Sequence, residues 1–86
     1  MSRSAGGGTT VAVHGYALRV IRQARGRAVA DLAAALGIDR SYISHLERGS
    51  RLRVSPELYV ALLHELQIED YRALLATAPL RDAAPA

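Results

Sequence analysis

The chain has 86 residues, the length of one small domain, and a formal net charge of +3 at pH 7. It has no cysteine, which excludes a disulfide framework and a zinc site built on thiolates. Half of its residues are hydrophobic, but Phe and Trp are absent, so the core must be built from Leu, Ile, Val and Ala.

The charge is unevenly distributed along the chain. Residues 1–53 hold nine arginines and three acidic residues, a net charge of +6, whereas residues 54–86 hold two arginines and five acidic residues, a net charge of −3. A codon bias towards arginine explains the absence of lysine, but it does not explain why the positive charge lies in one half. The asymmetry predicts that the N-terminal half contacts a polyanion.

Residues 1–10 are rich in Gly and Ser and are predicted to form a disordered arm. Apolar residues at helical spacing then predict helices over residues 11–25 and 28–36. Thr9 or Thr10 is expected to cap the first helix, and Gly26 to end it. Gly37 is expected in the left-handed conformation, before a third helix over residues 39–49 that Asp39 caps.

A basic loop over residues 50–54 follows, and Ser55-Pro56-Glu57 is typical of a helix start. This start and the apolar spacing after it predict a fourth helix over residues 55–66 and a fifth over residues 69–77, closed by Pro79. We therefore expect an all-α, compact five-helix bundle over residues 11–78, followed by a flexible tail over residues 79–86.

The third predicted helix has two opposed faces. At about 100° per residue, five polar side chains fall on one side of this helix: Arg40, Ser41, Ser44, His45 and Arg48. Ile43 and Leu46 point the other way, Tyr42 lies at the edge of their side, and Glu47 borders the core and needs a buried partner. A carboxylate-free polar face of this kind is suited to the DNA major groove.

The chain resembles the Xre/Cro-type helix-turn-helix domains of bacterial and phage regulators, over roughly residues 14–70. The residues that carry the resemblance are Leu18-Arg19, Arg22, Gly26, Leu32-Ala33, Gly37-Ile38, Ile43-Ser44, Glu47, Gly49, Ser55-Pro56-Glu57-Leu58 and the stretch 62–68. The resemblance implies a lambda-repressor-like fold with the motif at about residues 29–48. It also makes the third helix the recognition helix.

The resemblance assigns roles to the polar residues. Base contacts are expected from Arg40, Ser41, Ser44 and His45. Beyond the resemblance, charge and position on the predicted helices lead us to expect phosphate contacts from Arg19, Arg22, Val29, Tyr42, Arg48, Arg51 and Arg53. The family commonly pairs an Arg of the first helix with a Glu of the third, which implies a structural ion pair between Arg22 and Glu47.

The second helix departs from the family pattern at its start. The family often has a Ser or Thr cap followed by a Gln that holds a phosphate, but this chain has Ala28 and Val29. We therefore expect the second helix to lack its usual cap, at a cost of about 1 kcal/mol. The arginine-rich loop after Gly49 is expected to carry more of the phosphate binding.

These features predict a sequence-specific double-stranded DNA-binding regulator, a repressor that binds its operator as a homodimer. His14, His45 and His64 show no metal-ligand spacing, and no nucleophile has an orienting group, so neither a metal, a cofactor nor an enzymatic activity is expected. No apolar run reaches the length of a membrane span, no signal peptide is visible, and no small-molecule ligand is evident. The expected location is the cytoplasm of a bacterium or of a phage-infected cell.

The alternative is a protein-interaction module, such as an antitoxin that binds a toxin. It is motivated by the acidic C-terminal half, where Leu62, Leu63, Leu66, Tyr71 and Leu74 could face a partner. The simpler interpretation of these residues is that they close the core of the bundle.

Overall fold

The computed structural model describes residues 9–76, which form four helices and a small two-stranded sheet. In chain order the elements are β1 (Val11–Ala12), α1 (Gly15–Ala24), α2 (Val29–Leu36), α3 (Arg40–Arg48), β2 (Arg53–Val54) and α4 (Pro56–Glu65). Residues 1–8 of the predicted arm, Pro79 and the predicted tail over residues 79–86 lie outside the described residues.

The predicted fifth helix is absent from residues 69–76, so the five-helix count is wrong for the described part of the chain. Asp70 accepts a hydrogen bond from the backbone N–H of Arg72 through its side chain, at 2.9 Å. This contact is a turn interaction that competes with helix formation. The segment then ends in an antiparallel bridge between Leu75 and Val13.

The first helix begins four residues later than predicted, because Val11 and Ala12 form a strand instead. Antiparallel pairing aligns Val11 with Val54 and Ala12 with Arg53. The helix cap is also different from the expected Thr9 or Thr10. His14 accepts a hydrogen bond from the backbone N–H of Ala17 through Nδ1, at 3.2 Å.

The other helix boundaries follow the local sequence with one exception. Ser55 caps α4 by accepting the N–H of Leu58 at 3.1 Å, and Gly37 takes the left-handed conformation with φ 71°, both as predicted. Ala28 leaves α2 without a side-chain cap, also as predicted. Asp39 stands at the cap position of α3 but makes no side-chain cap bond, so that expectation was wrong.

The core is aliphatic except for Tyr59, which is buried among the Leu, Ile, Val and Ala side chains. The expectation that only those four residue types would build it was therefore wrong at this position. α3 packs against both α1 and α2, and α4 packs against α2. The largest fully buried side chains are Leu18, Leu32, Ile43, Leu46, Leu62, Leu66, Leu74, Val13 and Val54. Three of the apolar residues that motivated the protein-interaction alternative are therefore core residues, whereas Tyr71 is 63% exposed.

Candidate nucleic-acid interface

The helix α3 presents a polar face to solvent. Ile43 and Leu46 are fully buried on its inner side. Four side chains on the other side are exposed, namely Arg40, Ser41, His45 and Arg48, and Ser44 is half-buried. The structure therefore places the five residues of the predicted face along one helix with no acidic residue among them.

Gly15 lets α1 approach the end of α3 very closely. A Cβ atom at this position would lie 2.1 Å from the carbonyl oxygen of Leu46 and 2.8 Å from that of Glu47. No side chain fits at such distances without a backbone shift. The absence of a side chain at Gly15 thus permits the close packing of the last turn of α3 against the first turn of α1.

A second contact between the same two helices joins Arg22 to Glu47. The Nε atom of Arg22 donates to one carboxylate oxygen at 2.6 Å, and Nη2 donates to the other at 3.1 Å. Nη1 donates to the backbone carbonyl of Arg27 at 2.8 Å. The carboxylate of Glu47 raises the pKa of Arg22, mainly through the hydrogen bond between them. Glu47 therefore adds no unpaired negative charge to the polar face.

A cleft of about 280 Å³ lies between α1 and α3, beside this ion pair. It is lined by Arg19, Arg22, Gln23, Ser44, Glu47 and Arg48. Arg19 and Arg48 are exposed, and Glu47 is neutralised by Arg22. The cleft is therefore positively charged and suited to an anion such as a DNA phosphate.

The loop after α3 holds its arginines in defined positions. The guanidinium of Arg51 lies 4.5 Å from the centre of the Tyr42 ring, a cation–π contact that ties the loop to α3. Arg53 donates from Nε to the hydroxyl of Thr10 at 2.6 Å. Both arginines remain exposed, but Arg53 is already engaged by the segment that precedes β1.

The start of α2 offers less to a ligand than the family pattern does. Val29 is half-buried and packs partly against the core. Ala28 before it supplies no polar side chain, so the backbone N–H groups of the first turn are the donors at this end. Of the residues expected from the sequence to contact phosphates, Arg22 is buried, and Val29 and Tyr42 are partly buried against the core.

Two arginines of the basic half have a structural role that the sequence analysis missed. Arg25 donates to the backbone carbonyls of Leu66 and Gln67, at 2.9 and 3.1 Å. Arg27 donates to the carbonyl and the carboxylate of Glu65, at 2.9 and 3.2 Å. Both bind the end of α4, where helix carbonyls lack partners and a positive charge is favourable.

Ser50 is a further residue that the sequence analysis left out. Its hydroxyl lies 3.0 Å from Nδ1 of His45, on the predicted recognition face. The only sequence signal was its place immediately after Gly49, which turns the chain back over the end of α3.

Other kinds of site find no support in the described part of the chain. Between residues 9 and 76 there is no group of three or more His, Cys, Asp or Glu side chains that could hold a metal ion. No helix among these residues is long and apolar enough to cross a membrane.

The comparisons with known proteins agree with this geometry. A family model described as a helix-turn-helix domain matches residues 15–78. The crystal structure of the restriction-modification controller protein C.AhdI from Aeromonas hydrophila is 39% identical, with a TM-score of 0.61. The match covers 69% of this chain and 86% of that chain. No curated protein matches.

Proposed function

Since the chain belongs to the helix-turn-helix domain family, as its resemblance over residues 14–70 predicted, we propose that it is a repressor of transcription that binds an operator in double-stranded DNA. In this proposal two copies bind one operator, and each inserts α3 into the major groove. The observation that carries the proposal is the exposed, carboxylate-free polar face of α3. The major groove is wide enough to admit a helix and displays a distinct pattern of donors and acceptors for each base pair.

The base contacts are assigned to the outer side of α3. Arg40 is the first residue of α3, and the N-terminal residues of recognition helices contact base edges. Its fork of donors matches O6 and N7 of guanine. Ser41, Ser44 and His45 supply shorter polar groups along the same face.

The phosphate contacts are assigned to the surroundings of α3. Arg19 and Arg48 line the cleft beside α1, and Arg51 is held against Tyr42 at the other end of the helix. Arg22, Arg53, Tyr42 and the start of α2 at Val29 complete the set. Arg22 contributes less net charge than the others, because Glu47 already pairs with it.

The short length of α3, which has nine residues, favours binding as a dimer. One such helix reads only a few base pairs, whereas two copies about one turn of DNA apart give useful specificity.

A regulatory role is supported by the neighbour C.AhdI, a controller protein. A competition assay tests the proposal directly. A labelled duplex from the region upstream of the gene is titrated with protein at two salt concentrations, with and without excess random duplex. Tight binding that survives the competitor supports operator recognition, and no binding at low salt overturns it. Light scattering on the same sample should give the mass of two chains.

A further inference from the structure

The chain folds back over the last turn of α3 and brings Ser50 to His45. Gly49 ends the helix in the left-handed conformation, with φ 84°. The backbone N–H groups of Ser50 and Arg51 then donate to the carbonyl of His45, at 3.0 and 3.1 Å. The position of the Ser50 side chain is therefore set by the helix end itself.

Two polar groups meet the same ring nitrogen of His45. The hydroxyl of Ser50 lies 3.0 Å from Nδ1, and Nη2 of Arg48 lies 3.4 Å from it. A guanidinium has donors only, whereas a hydroxyl can donate or accept. Both neighbours attract Nδ1 only if this nitrogen carries a lone pair rather than a proton.

A proton on Nδ1 of His45 would instead place a repulsive contact with Arg48 beside the attractive contact with Ser50. With a proton on Nδ1, the ring would donate to Ser50, and the hydroxyl of Ser50 would turn to the carbonyl of His45, 3.4 Å away. The N–H of Arg48 would then face the N–H of the ring, next to a full positive charge. Arg48 thus disfavours the arrangement that Ser50 alone would allow.

A neutral imidazole with a lone pair on Nδ1 carries its proton on Nε2. His45 is exposed, and its Nε2 makes no hydrogen bond within residues 9–76. We propose that Ser50 and Arg48 hold His45 as the Nε2–H tautomer, so that it reads a hydrogen-bond acceptor on a base edge. The matching atoms in the major groove are N7 of a purine, O6 of guanine and O4 of thymine, and the amino groups of adenine and cytosine are rejected.

This inference rests on the proposed function, and it adds Ser50 to it as a positioning residue. Ser50 itself contacts no base, because its hydroxyl is hydrogen-bonded to Nδ1 of His45. It acts by fixing which nitrogen of His45 is the donor and how the ring is turned. It therefore affects the choice of base without contributing a contact of its own.

The first arm of the test uses the free protein, so it is independent of DNA binding. Two-bond ¹H–¹⁵N NMR spectra of the labelled chain are recorded at about pH 8, above the usual pKa of histidine. His45 is assigned by the loss of its signals in His45→Gln. We expect an unprotonated Nδ1 and a protonated Nε2 in the wild type, and a mixture of tautomers in Ser50→Ala combined with Arg48→Leu. A dominant Nδ1–H tautomer in the wild type would overturn the inference.

The second arm compares the base preference of the wild type, Ser50→Ala and Ser50→Thr. Duplexes that differ at one base pair of the selected site are titrated with each variant. In Ser50→Ala, the preference for one base pair over the others at one position should fall about five- to tenfold, which corresponds to the discrimination of about one hydrogen bond. Ser50→Thr keeps the hydroxyl and should keep the preference. Unchanged preference in Ser50→Ala counts against the inference. If the wild type binds no duplex at all, the proposed function is wrong, whereas the tautomer of His45 is still decided by the NMR spectra of the free protein.

Discussion

The carboxylate of Glu47 accepts two hydrogen bonds from Arg22, and it thereby joins α3, the proposed recognition helix, to α1. The two side chains are only 11% and 8% exposed. A buried charge that loses its partner is costly, because nothing replaces the lost solvation. The pair therefore holds α3 against α1 and also removes a negative charge from the surface of α3.

Removing one partner of this pair should be strongly destabilising. Glu47→Ala is expected to lower the free energy of unfolding by about 3–5 kcal/mol, because Arg22 stays buried and unpaired. Replacing both partners by apolar residues, in Arg22→Met with Glu47→Leu, should recover much of this loss. Urea unfolding monitored by circular dichroism measures both variants.

A partly exposed ion pair elsewhere in the fold provides the matched control. Arg27 and Glu65 lie 3.2 Å apart with side chains that are 28% and 32% exposed. A partly exposed pair contributes about 0–1 kcal/mol to stability. Glu65→Ala should therefore lower the free energy of unfolding far less than Glu47→Ala does. Equal costs would mean that the pair with Arg22 has no special role.

Gly15 is expected to be intolerant of any side chain. Gly15→Ala should destabilise the fold by about 1–3 kcal/mol, the usual cost of overpacking, because the new methyl group meets two backbone carbonyls of α3. Gly26→Ala is the control, since Gly26 has φ 68° and no atom within 4 Å of an added Cβ. It should cost only the strain of the left-handed conformation, about 1 kcal/mol. Only Gly15→Ala should also displace α3, seen as chemical-shift changes along this helix.

The stability of the fold should fall at alkaline pH through Tyr59. Burial raises the pKa of Tyr59, whose hydroxyl donates to the backbone carbonyl of Tyr71. Because the folded state keeps a proton that the unfolded state releases, this contribution is intact below about pH 10 and is lost as the pH rises through the folded pKa.

Urea unfolding at about pH 8 and pH 11 measures this effect. Tyr59→Phe should lose less stability between the two pH values than the wild type. At pH 8 it should be about 1 kcal/mol less stable, since the Tyr71 carbonyl loses its donor. Tyr16→Phe, at a side chain that is 69% exposed, should behave like the wild type. The account of Tyr59 fails if Tyr59→Phe shows the full loss at pH 11.

Arg51 should contribute affinity without sequence preference. Arg51→Ala is expected to weaken binding to every duplex by a similar factor and to lower the salt slope by about one, as a lost phosphate contact does. Arg72→Ala removes the same charge from the C-terminal segment, where Arg72 pairs with Asp70, and should leave the slope unchanged. A loss confined to one sequence would instead make Arg51 a base reader.

The polar face of α3 could be predicted from the sequence because helical periodicity is a local property. The positions of Arg40, Ile43 and Leu46 follow from residue spacing alone. The need for a partner of Glu47 was visible too, since a carboxylate at the border of the core must be paired. The left-handed Gly37 and the cap at Ser55 are likewise encoded within a few residues.

The features that were missed depend on contacts between distant parts of the chain. Val11 and Val13 fit a helix as well as a strand, and the pairing with Val54 and Leu75 decides between the two. The partners of Arg25 and Arg27 are backbone atoms at the end of α4, which are brought close only by folding. Arg25 and Arg27, which the sequence suggested as ligands for a polyanion, therefore stabilise the fold instead.

A selection from a random duplex library tests most directly whether α3 reads double-stranded DNA as part of a dimer. The library is enriched with the wild type and with Arg40→Ala, and the selected pools are sequenced. We expect two inverted half-sites whose centres lie about 10 base pairs apart, and we expect Arg40→Ala to lose the preference at one position in each half-site. A pool without an enriched motif, or the same motif with Arg40→Ala, would contradict this expectation.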